Sequence, residues 1–460
     1  MGLIPYQPIV LSLNIPKYPF KSPNIPKYPL PMSTLTCAIQ LGSSRILAIA
    51  AEKDLSNGTL TNIQIESEVS SDCISHGRIV NIEKTAMHIR TLIQKLGNRM
   101  RTPIAAAYVG VGGMSLHSLV QQPSVKIPDY DVLDSQPIGQ NQHQLIVGEK
   151  RIRESIRAAM DRAGIRIVDI IVLPIATANI LTRSERQKGC ILVDMGAGTT
   201  TVSIYKDGEL KHLAVIPLGG ESVTIDIQSA GCTYDDAERI KRDWSDVSQE
   251  VTPESPAGNA PSAMFAERAL PIPQSKLNNI ALCRYEEIAA NIEHQIEASG
   301  FKDQLKAGCI LTGGAAYQNG ITTLLLRRLS IPQVEMRASH VPALLGSDRK
   351  PHLTNLLSLL SFCTEDCQAP KVTPVVETPR PTPVTRPVTP PQPAPADDNE
   401  PTLEIPDREP EPEPVVQSEP QTDPKQQTQP EKETEEEVRP STTFGEFVGR
   451  FVKDLFTGQK

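Results

Sequence analysis

Two stretches of the chain share one pattern of apolar strands separated by short polar turns. Residues 35–67 (LTCAIQLGSSRILAIAAEKDLSNGTLTNIQIES) predict a strand, a Gly-Ser turn, a second strand, an Asn-Gly turn and a third strand. Residues 189–220 (GCILVDMGAGTTTVSIYKDGELKHLAVIPLGG) repeat this order, with Asp-Gly as the second turn. Helical periodicity follows each unit, at 84–100 and then at 221–231 and 234–244. The duplication predicts an α/β fold of two similar halves, each with a mixed sheet, and a cleft between them.

The last twenty residues carry a different apolar pattern. Seven apolar side chains recur at the spacing of one α-helical face: Phe444, Phe447, Val448, Phe451, Val452, Leu455 and Phe456. Thr443 and Glu446 have the spacing of a capping box at the start of this helix. Because so short a helix is marginal alone in water, residues 441–460 predict an amphipathic helix that binds a membrane interface or a groove on a partner protein.

The segments that flank the globular part differ from it in composition. Residues 366–440 hold nearly half of the 41 prolines, together with Thr, Gln and Glu. Such a segment buries too little apolar area to offset the entropy of ordering, so we expect a disordered linker. Residues 1–31 contain a direct repeat, NIPKYP. Two interpretations of 1–31 stay open: a disordered leader, or a segment outside the native protein because translation starts at Met32.

Charge, cysteine spacing and the length of apolar runs argue against nucleic-acid binding, a cysteine metal site and a membrane-spanning helix. The net charge of −8 and the pI near 5.6, with no long basic run, argue against a nucleic-acid-binding protein. The eight cysteines form no CxxC pair and have no histidine at metal-ligand spacing, so we expect reduced core thiols. The chain contains no run of eighteen apolar residues, and therefore no predicted membrane-spanning helix.

The two Gly-rich turns supply the candidate chemistry. A turn of this kind presents backbone N–H groups and hydroxyls to an anion, and two in register across a cleft predict a clamp for a polyphosphate. Asp194, at the end of its strand, is placed to hold Mg²⁺ through water. When the turns are aligned, Gly42 falls on Gly196 and Gln40 falls on Asp194. The first turn therefore lacks the acid of the second.

A third Gly-containing turn follows a strand in CILTGGAAYQNGI (309–321), where a flat ring could lie against backbone that carries no side chain. These segments, with VIPLGGESVTIDI and DAERIK, look like the phosphate, subdomain and adenosine motifs of the actin/Hsp70/sugar-kinase ATPases. In the order and the residues of these motifs, the chain most resembles the FtsA family of bacterial cell-division proteins, over about residues 35–340. The resemblance implies a duplicated actin-like ATPase fold with two lobes around a nucleotide cleft.

The resemblance also implies domain boundaries. We expect an actin-like lobe I at 32–187 and a lobe II at 188–365, with 340–365 packing back on lobe I. Lobe I would include an FtsA-type extra subdomain at about 80–149. This subdomain is expected to be reduced, because the interval 114–150 looks shorter than is usual in the family.

By the same resemblance, ATP and Mg²⁺ would bind in the cleft. The first phosphate loop would comprise Gly42, Ser43, Ser44 and Arg45, and the second Asp194, Gly196, Gly198, Thr199 and Thr200, with Asp194 on the metal. Gly219 and Gly220 would close toward the nucleotide, Glu238 and Lys241 would reach the ribose and base, and Gly313, Gly314 and Ala315 would back the adenine.

Two residues depart from the family pattern. Gln40 stands where the first phosphate loop is expected to carry Asp, which removes one of two carboxylates near the metal. Leu173 stands where related filament ATPases often carry a carboxylate that orients the attacking water. General-base assistance, typically worth about 10²–10⁴ in rate, then has no evident donor. Together the two residues predict that ATP is bound with slow or absent hydrolysis.

The resemblance implies a division scaffold at the inner face of the cytoplasmic membrane. Such a protein tethers filaments of the tubulin-like protein FtsZ, contacts other division proteins and self-associates into filaments, with 441–460 binding membrane lipid. One alternative is an active ATPase or sugar-kinase-like phosphotransferase, which Gln40 and Leu173 disfavour. Another is a pilus-assembly actin homologue, which would not need an amphipathic segment of its own.

Overall fold

A computed structural model of the chain describes residues 33–122, 127–139, 141–249, 262–264, 269–339 and 351–369. The strands are β1 (Ser33–Leu41), β2 (Arg45–Asp54), β3 (Leu60–Val69), β4 (Ile74–Ser75), β5 (Arg78–Ile79), β6 (Ala106–Val111), β7 (His117–Gln121), β8 (Tyr130–Gly139), β9 (Gln142–Glu149), β10 (Arg166–Val172), β11 (Cys190–Met195), β12 (Thr200–Lys206), β13 (Glu209–Ile216), β14 (Ser262–Met264), β15 (Ala269–Pro273), β16 (Cys309–Thr312) and β17 (Val334–Met336). The helices are α1 (Ile82–Met100), α2 (Lys150–Ala163), α3 (Leu173–Thr177), α4 (Arg183–Lys188), α5 (Gly220–Gln228), α6 (Tyr234–Trp244), α7 (Gln274–Ala298), α8 (Ile321–Leu329) and α9 (Thr354–Leu359).

The first sheet contains the three strands of the first repeat, in the order β10-β6-β1-β2-β3. β1 pairs antiparallel with β2 and β2 with β3, whereas β1, β6 and β10 run parallel. Parallel neighbours need crossovers, which α1 and α2 supply. α1 begins where the Asn81 side chain accepts a hydrogen bond from the Lys84 amide at 3.0 Å. Its apolar face, with Ile89, Leu92 and Leu96 fully buried, forms part of the core of this lobe I.

The second sheet repeats the arrangement, with β17-β16-β11-β12-β13 in the same order as the first. β11 pairs antiparallel with β12 and parallel with β16, as β1 pairs with β2 and β6. Helices α5 to α8 cover this lobe II, and the buried Tyr285 of α7 lies in a second apolar core. The predicted duplicated α/β fold is therefore confirmed, as are the helices predicted after each triple-strand unit.

Three inserted strands connect the two sheets. β7, β9 and β8 form an antiparallel meander, and β7 adds to the free edge of β13 through Ala214 and His117. The Leu213 amide also donates to the Ser118 hydroxyl at 2.8 Å. α1 and β6, which lie inside the interval 80–149, belong to the sheet and core of lobe I instead. The insertion itself is therefore limited to about 117–149.

The described part of the C-terminal segment, 351–369, lies against lobe I. α9 contacts α3, β1 and β2, and the ammonium group of Lys53 donates to the carbonyl oxygens of Leu360 and Cys363 at 2.7 Å each. No helix among the described residues is long and apolar enough to cross a membrane. The leader 1–31, the linker beyond 369 and the apolar face from Phe444 to Phe456 lie outside the described residues.

Candidate functional site

The two Gly-rich turns have the same backbone geometry. The Gly42 amide donates to the Arg45 carbonyl at 3.1 Å, and the Gly196 amide donates to the Thr199 carbonyl at 2.8 Å. A Cβ added at Gly42 would lie 2.7 Å from the Arg45 oxygen, so the turn requires glycine there. The predicted equivalence of the two turns thus holds in three dimensions.

The turns face each other across the junction of the lobes. A Cβ added at Gly198 would lie 2.6 Å from the Ser43 hydroxyl, so the second turn touches the first without a side chain between them. The Ser43 hydroxyl also accepts a hydrogen bond from the Gly77 amide at 3.0 Å, and the Ser70 hydroxyl donates to the Gly42 carbonyl at 2.6 Å. These bonds fix the first turn on lobe I.

Donors and acceptors at the turns fit a magnesium polyphosphate. The backbone N–H groups of Ser43, Ser44, Ala197, Gly198 and Thr199 donate to no acceptor in the described part of the chain. They are free to receive phosphate oxygens. The buried Oε1 of Gln40 likewise has no hydrogen-bond partner among the described residues. Metal-bound water would satisfy this acceptor, as buried polar atoms normally require.

Asp194 is held by a side chain that the sequence analysis did not single out. Asn355, on α9, donates from Nδ2 to Oδ2 of Asp194 at 2.7 Å, and the Thr177 hydroxyl donates to Oδ1 of Asn355 at 2.5 Å. Burial raises the pKa of the Asp194 carboxyl, and the Asn355 hydrogen bond opposes part of that rise. Oδ1 of Asp194 lies against the backbone of Gly313, where an added Cβ would approach it to 2.4 Å.

Leu173 occupies the first position of α3 and is buried. Its methyl groups pack against the backbone of β6, where a Cβ added at Gly110 would lie 2.6 Å from Leu173 Cδ2 and 2.8 Å from Leu359 Cδ1. An apolar side chain here packs in the core of lobe I and supplies no group that could accept a proton from water.

Lys241 and Glu238 lie beside the glycines that begin α5. The buried ammonium group of Lys241 donates to the Gly220 carbonyl at 2.9 Å, the Thr224 hydroxyl at 2.8 Å and the Glu238 carboxylate at 2.6 Å. Burial lowers the pKa of Lys241, and Glu238 opposes that change. The three donors of the ammonium are thus engaged within lobe II, while half of Glu238 faces solvent, with its side chain 43% exposed. Their contact with ribose and base stays a prediction.

Gly219, Gly220 and Ala315 lie beside the second Gly-rich turn. The Gly220 amide donates to the Gly196 carbonyl at 3.0 Å, and an added Cβ at Gly219 would lie 2.3 Å from the Ala197 oxygen. A Cβ at Gly220 would approach that of Ala315 to 3.1 Å. The predicted site residues of lobe II therefore converge on one region, whereas the predicted lipid-binding residues lie outside the described chain.

Among the described residues, one group of side chains that could ligate a metal ion lies outside this site. The ligand atoms of Asp72, Cys73 and His88 lie within 4.8 Å of one another. The Asp72 carboxylate is already paired with the Lys84 ammonium at 2.8 Å. Six of the eight cysteines are buried, as expected for core thiols: Cys37, Cys73, Cys190, Cys309, Cys363 and Cys367. Cys232 is half-buried and Cys283, on α7, is exposed, so the prediction of core thiols is wrong for these two. No sequence motif predicted the proximity of His88, which comes from α1.

Comparison with known proteins agrees with these motifs. The family model described as Cell division protein FtsA matches residues 191–358. The Cell division protein FtsA of Porphyromonas gingivalis is 30% identical over 335 residues, covering 63% of this chain and 69% of that protein. The FtsA proteins of Pseudomonas aeruginosa and Bacillus subtilis are 28% and 26% identical, over 62% and 63% of this chain and 79% and 76% of their own lengths.

One solved structure shows a similar fold. A chain of the PilM-PilN type IV pilus biogenesis complex matches with a TM-score of 0.52 at 16% identity, covering 71% of this chain and 98% of that chain. MreB5 of Spiroplasma citri bound to ADP matches with a TM-score of 0.47 at 13% identity, over 72% of this chain and 97% of its own. At 16% identity the likeness to the chain of the pilus complex concerns the fold alone.

Proposed function

Because the chain belongs to the FtsA family of bacterial cell-division proteins, we propose that it is an ATP-binding scaffold that tethers FtsZ filaments to the cytoplasmic membrane. In this role it helps to assemble the division septum, contacts other division proteins and self-associates into filaments. The observation that carries the proposal is the pair of equivalent Gly-rich turns, which face each other across the two lobes with amide donors available to phosphate.

Nucleotide would serve mainly as a ligand that joins the lobes. Asp194 would hold Mg²⁺ through water, with Gln40 accepting from the same water shell. Mg²⁺ would neutralise charge on the phosphates. Leu173 supplies no base for the attacking water, which supports slow or absent hydrolysis.

Membrane attachment would come from the amphipathic pattern of 441–460. Four phenylalanines on one predicted face suit the interface between headgroups and acyl chains. The linker before it lets the scaffold follow FtsZ filaments while its end stays in the membrane. An active phosphotransferase on this fold is the second candidate, and Leu173 and Gln40 argue against it.

A reconstitution tests the proposal. We would mix the full chain with lipid vesicles, FtsZ and MgATP, and measure co-sedimentation of FtsZ with the vesicles. Deletion of 441–460 should abolish recruitment, and Asp194→Asn should weaken its dependence on MgATP. Asp303→Asn, an exposed aspartate in the turn that follows α7, is the matched control and should behave as the unmodified chain. Recruitment that survives the deletion, or rapid phosphate release or sugar phosphorylation, would refute the scaffold.

A further inference from the structure

Two helices of lobe I carry concentrated positive charge. Residues 82–101 and 150–166, which comprise α1, α2 and the turns that end them, hold eleven arginines and lysines against three carboxylates. The whole chain, by contrast, has a net charge of −8. α1 and α2 pack against each other, so their charges share one side of the lobe. We call these two ranges the basic face.

Neighbouring carboxylates neutralise part of this charge. The ion pairs at its edges are Arg99 with Glu66, Lys95 with Glu68, Lys84 with Asp72 and Arg162 with Glu83, at 2.5–2.8 Å, and Arg166 with Glu365 at 3.9 Å. Six further cations have no carboxylate oxygen within 4.0 Å in the part of the chain that the structure describes: Arg90, Arg101, Lys150, Arg151, Arg153 and Arg157. The basic face therefore keeps an excess of several positive charges.

The described chain ends beside this face. Ile104 and Gln368 form an antiparallel bridge, and the Ala369 amide donates to the Pro103 carbonyl at 3.0 Å. Residues 103–104 follow directly on the end of α1, where Arg101 is exposed. Residue 369, the last one described before the linker, thus lies beside one end of the basic face.

We propose that the basic face binds the anionic headgroups of the same membrane that residues 441–460 enter. The inference rests on the proposed function, since it needs that segment to bring lobe I to a membrane. Anionic lipid attracts each Lys or Arg near the surface by enough to raise affinity about five-fold. A face with weak affinity alone would then orient lobe I once the linker holds it nearby.

The first part of the linker is also net positive. Between 370 and 396 the charged residues are Lys371, Arg380 and Arg386 against Glu377. The acidic block starts only at Asp397, and residues 397–439 contain fifteen carboxylates against four cations. That block is the competing occupant of the basic face. A lipid surface is favoured because it offers many phosphates in one plane to cations spread over two helices.

The test compares two triple variants of the full chain. Arg101→Gln, Arg157→Gln and Arg166→Gln together remove three exposed cations of the basic face. Arg183→Gln, Lys276→Gln and Lys306→Gln remove three exposed cations of other elements and give the same change in net charge. Binding is measured by flotation on phosphatidylcholine vesicles with and without phosphatidylglycerol, at low and high salt. Circular dichroism confirms that both variants fold.

Vesicles with phosphatidylglycerol should bind the first variant at least ten-fold more weakly than the control variant at low salt, and the difference should vanish at high salt. Neutral vesicles should bind both variants equally. Hydrogen exchange at 99–104 and 157–166 should slow when the full chain binds anionic vesicles. Equal binding of the two variants to anionic vesicles would overturn the inference.

Two other outcomes would also overturn it. In the first, hydrogen exchange at the basic face is slow without vesicles and becomes fast after removal of 397–439. This result would assign the face to the acidic block of the same chain. Salt-sensitive binding of duplex DNA that anionic vesicles fail to displace would assign it to nucleic acid. Failure of the proposed function is distinguishable, because vesicle binding would then be unchanged by deletion of 441–460.

Discussion

Asn355 and Asp194 are joined by a hydrogen bond of 2.7 Å, donated by the amide nitrogen of Asn355 to the carboxylate. Asp194 lies on β11 of lobe II, and Asn355 lies on α9, which packs on lobe I. The bond therefore connects the two lobes at the carboxylate proposed to hold Mg²⁺, and it orients that carboxylate from a segment 161 residues away in the chain.

Asn355→Ala should weaken Mg²⁺-dependent ATP binding about ten-fold, because a hydrogen bond to a charged group is typically worth about 1.5–3 kcal/mol. The measurement is titration of the nucleotide with and without Mg²⁺. Asn179→Ala is the matched control, since Asn179 bonds Ser361 of the same C-terminal segment without touching Asp194. An effect of equal size in the control would show that the segment acts by packing alone.

Gln40→Asp should leave ATP binding intact and raise any turnover. The substitution restores a carboxylate at the first turn, where the buried Oε1 of Gln40 now has no partner among the described residues. Single-turnover phosphate release in MgATP measures the effect, with the exposed Gln94→Asp on α1 as control. An unchanged rate would show that Gln40 does not limit hydrolysis and would direct attention to Leu173.

Gly110→Ala should destabilise lobe I by about 1–3 kcal/mol, because the added methyl group meets Leu173 and Leu359 inside a packed core. Leu173→Ala in the same chain should recover part of the loss by removing one of the colliding side chains. Urea unfolding provides the measurement. Gly139→Ala, where nothing lies within 4 Å of the added Cβ, should be close to neutral. A neutral Gly110→Ala would contradict the tight packing of Leu173.

Glu185 should make stability depend on pH in the acid range. Burial acts to raise its pKa, but Arg337, at 2.8 Å, and the Thr182 donors outweigh burial and lower the pKa from 4.5 to about 2. The folded state then binds the proton less tightly than the unfolded state. The pair stabilises the folded state above about pH 4.5, and this contribution is lost as the pH falls from about 4.5 to about 2.

Glu185→Gln should accordingly lower the free energy of unfolding at neutral pH and have a smaller effect near pH 3. Denaturant unfolding across that range measures the difference. The exposed Glu154→Gln on α2 should show no such pH dependence. Loss of stability that is the same at both pH values would mean that charge on Glu185 is unimportant.

Local patterns predicted what depends on local spacing. The apolar strands and the Gly turns at Gln40–Arg45 and Asp194–Thr200 determine the two equivalent turns, because strand propensity and turn chemistry act over a few residues. Contacts between distant segments were not predictable in this way. Asn355 lies in HLTNLLSLL (352–360), where His352, Thr354 and Ser358 are also polar, and nothing near it in sequence indicates a carboxylate 161 residues away.

The contacts of Lys241 likewise could not be predicted from local sequence. Its motif indicated a role near nucleotide, but the burial that turns its ammonium toward Gly220 and Thr224 depends on how α6 packs on α5. The pairing of β7 with β13 also depends on tertiary packing, because any exposed strand edge could have accepted the inserted meander.

The β7–β13 pairing limits how the cleft can open. The insertion leaves β6 of lobe I and returns to α2 of lobe I, yet its strands continue the sheet of lobe II. If the lobes separate while that sheet stays whole, the change in backbone angles must fall on the two connections, at 112–116 and near Glu149. Gly112 and Gly113 lie in the first of these, with Gly113 at a positive φ of 119°. Nucleotide exchange would then be governed by a short pair of hinges, the first of which packs against Leu173 through Gly112.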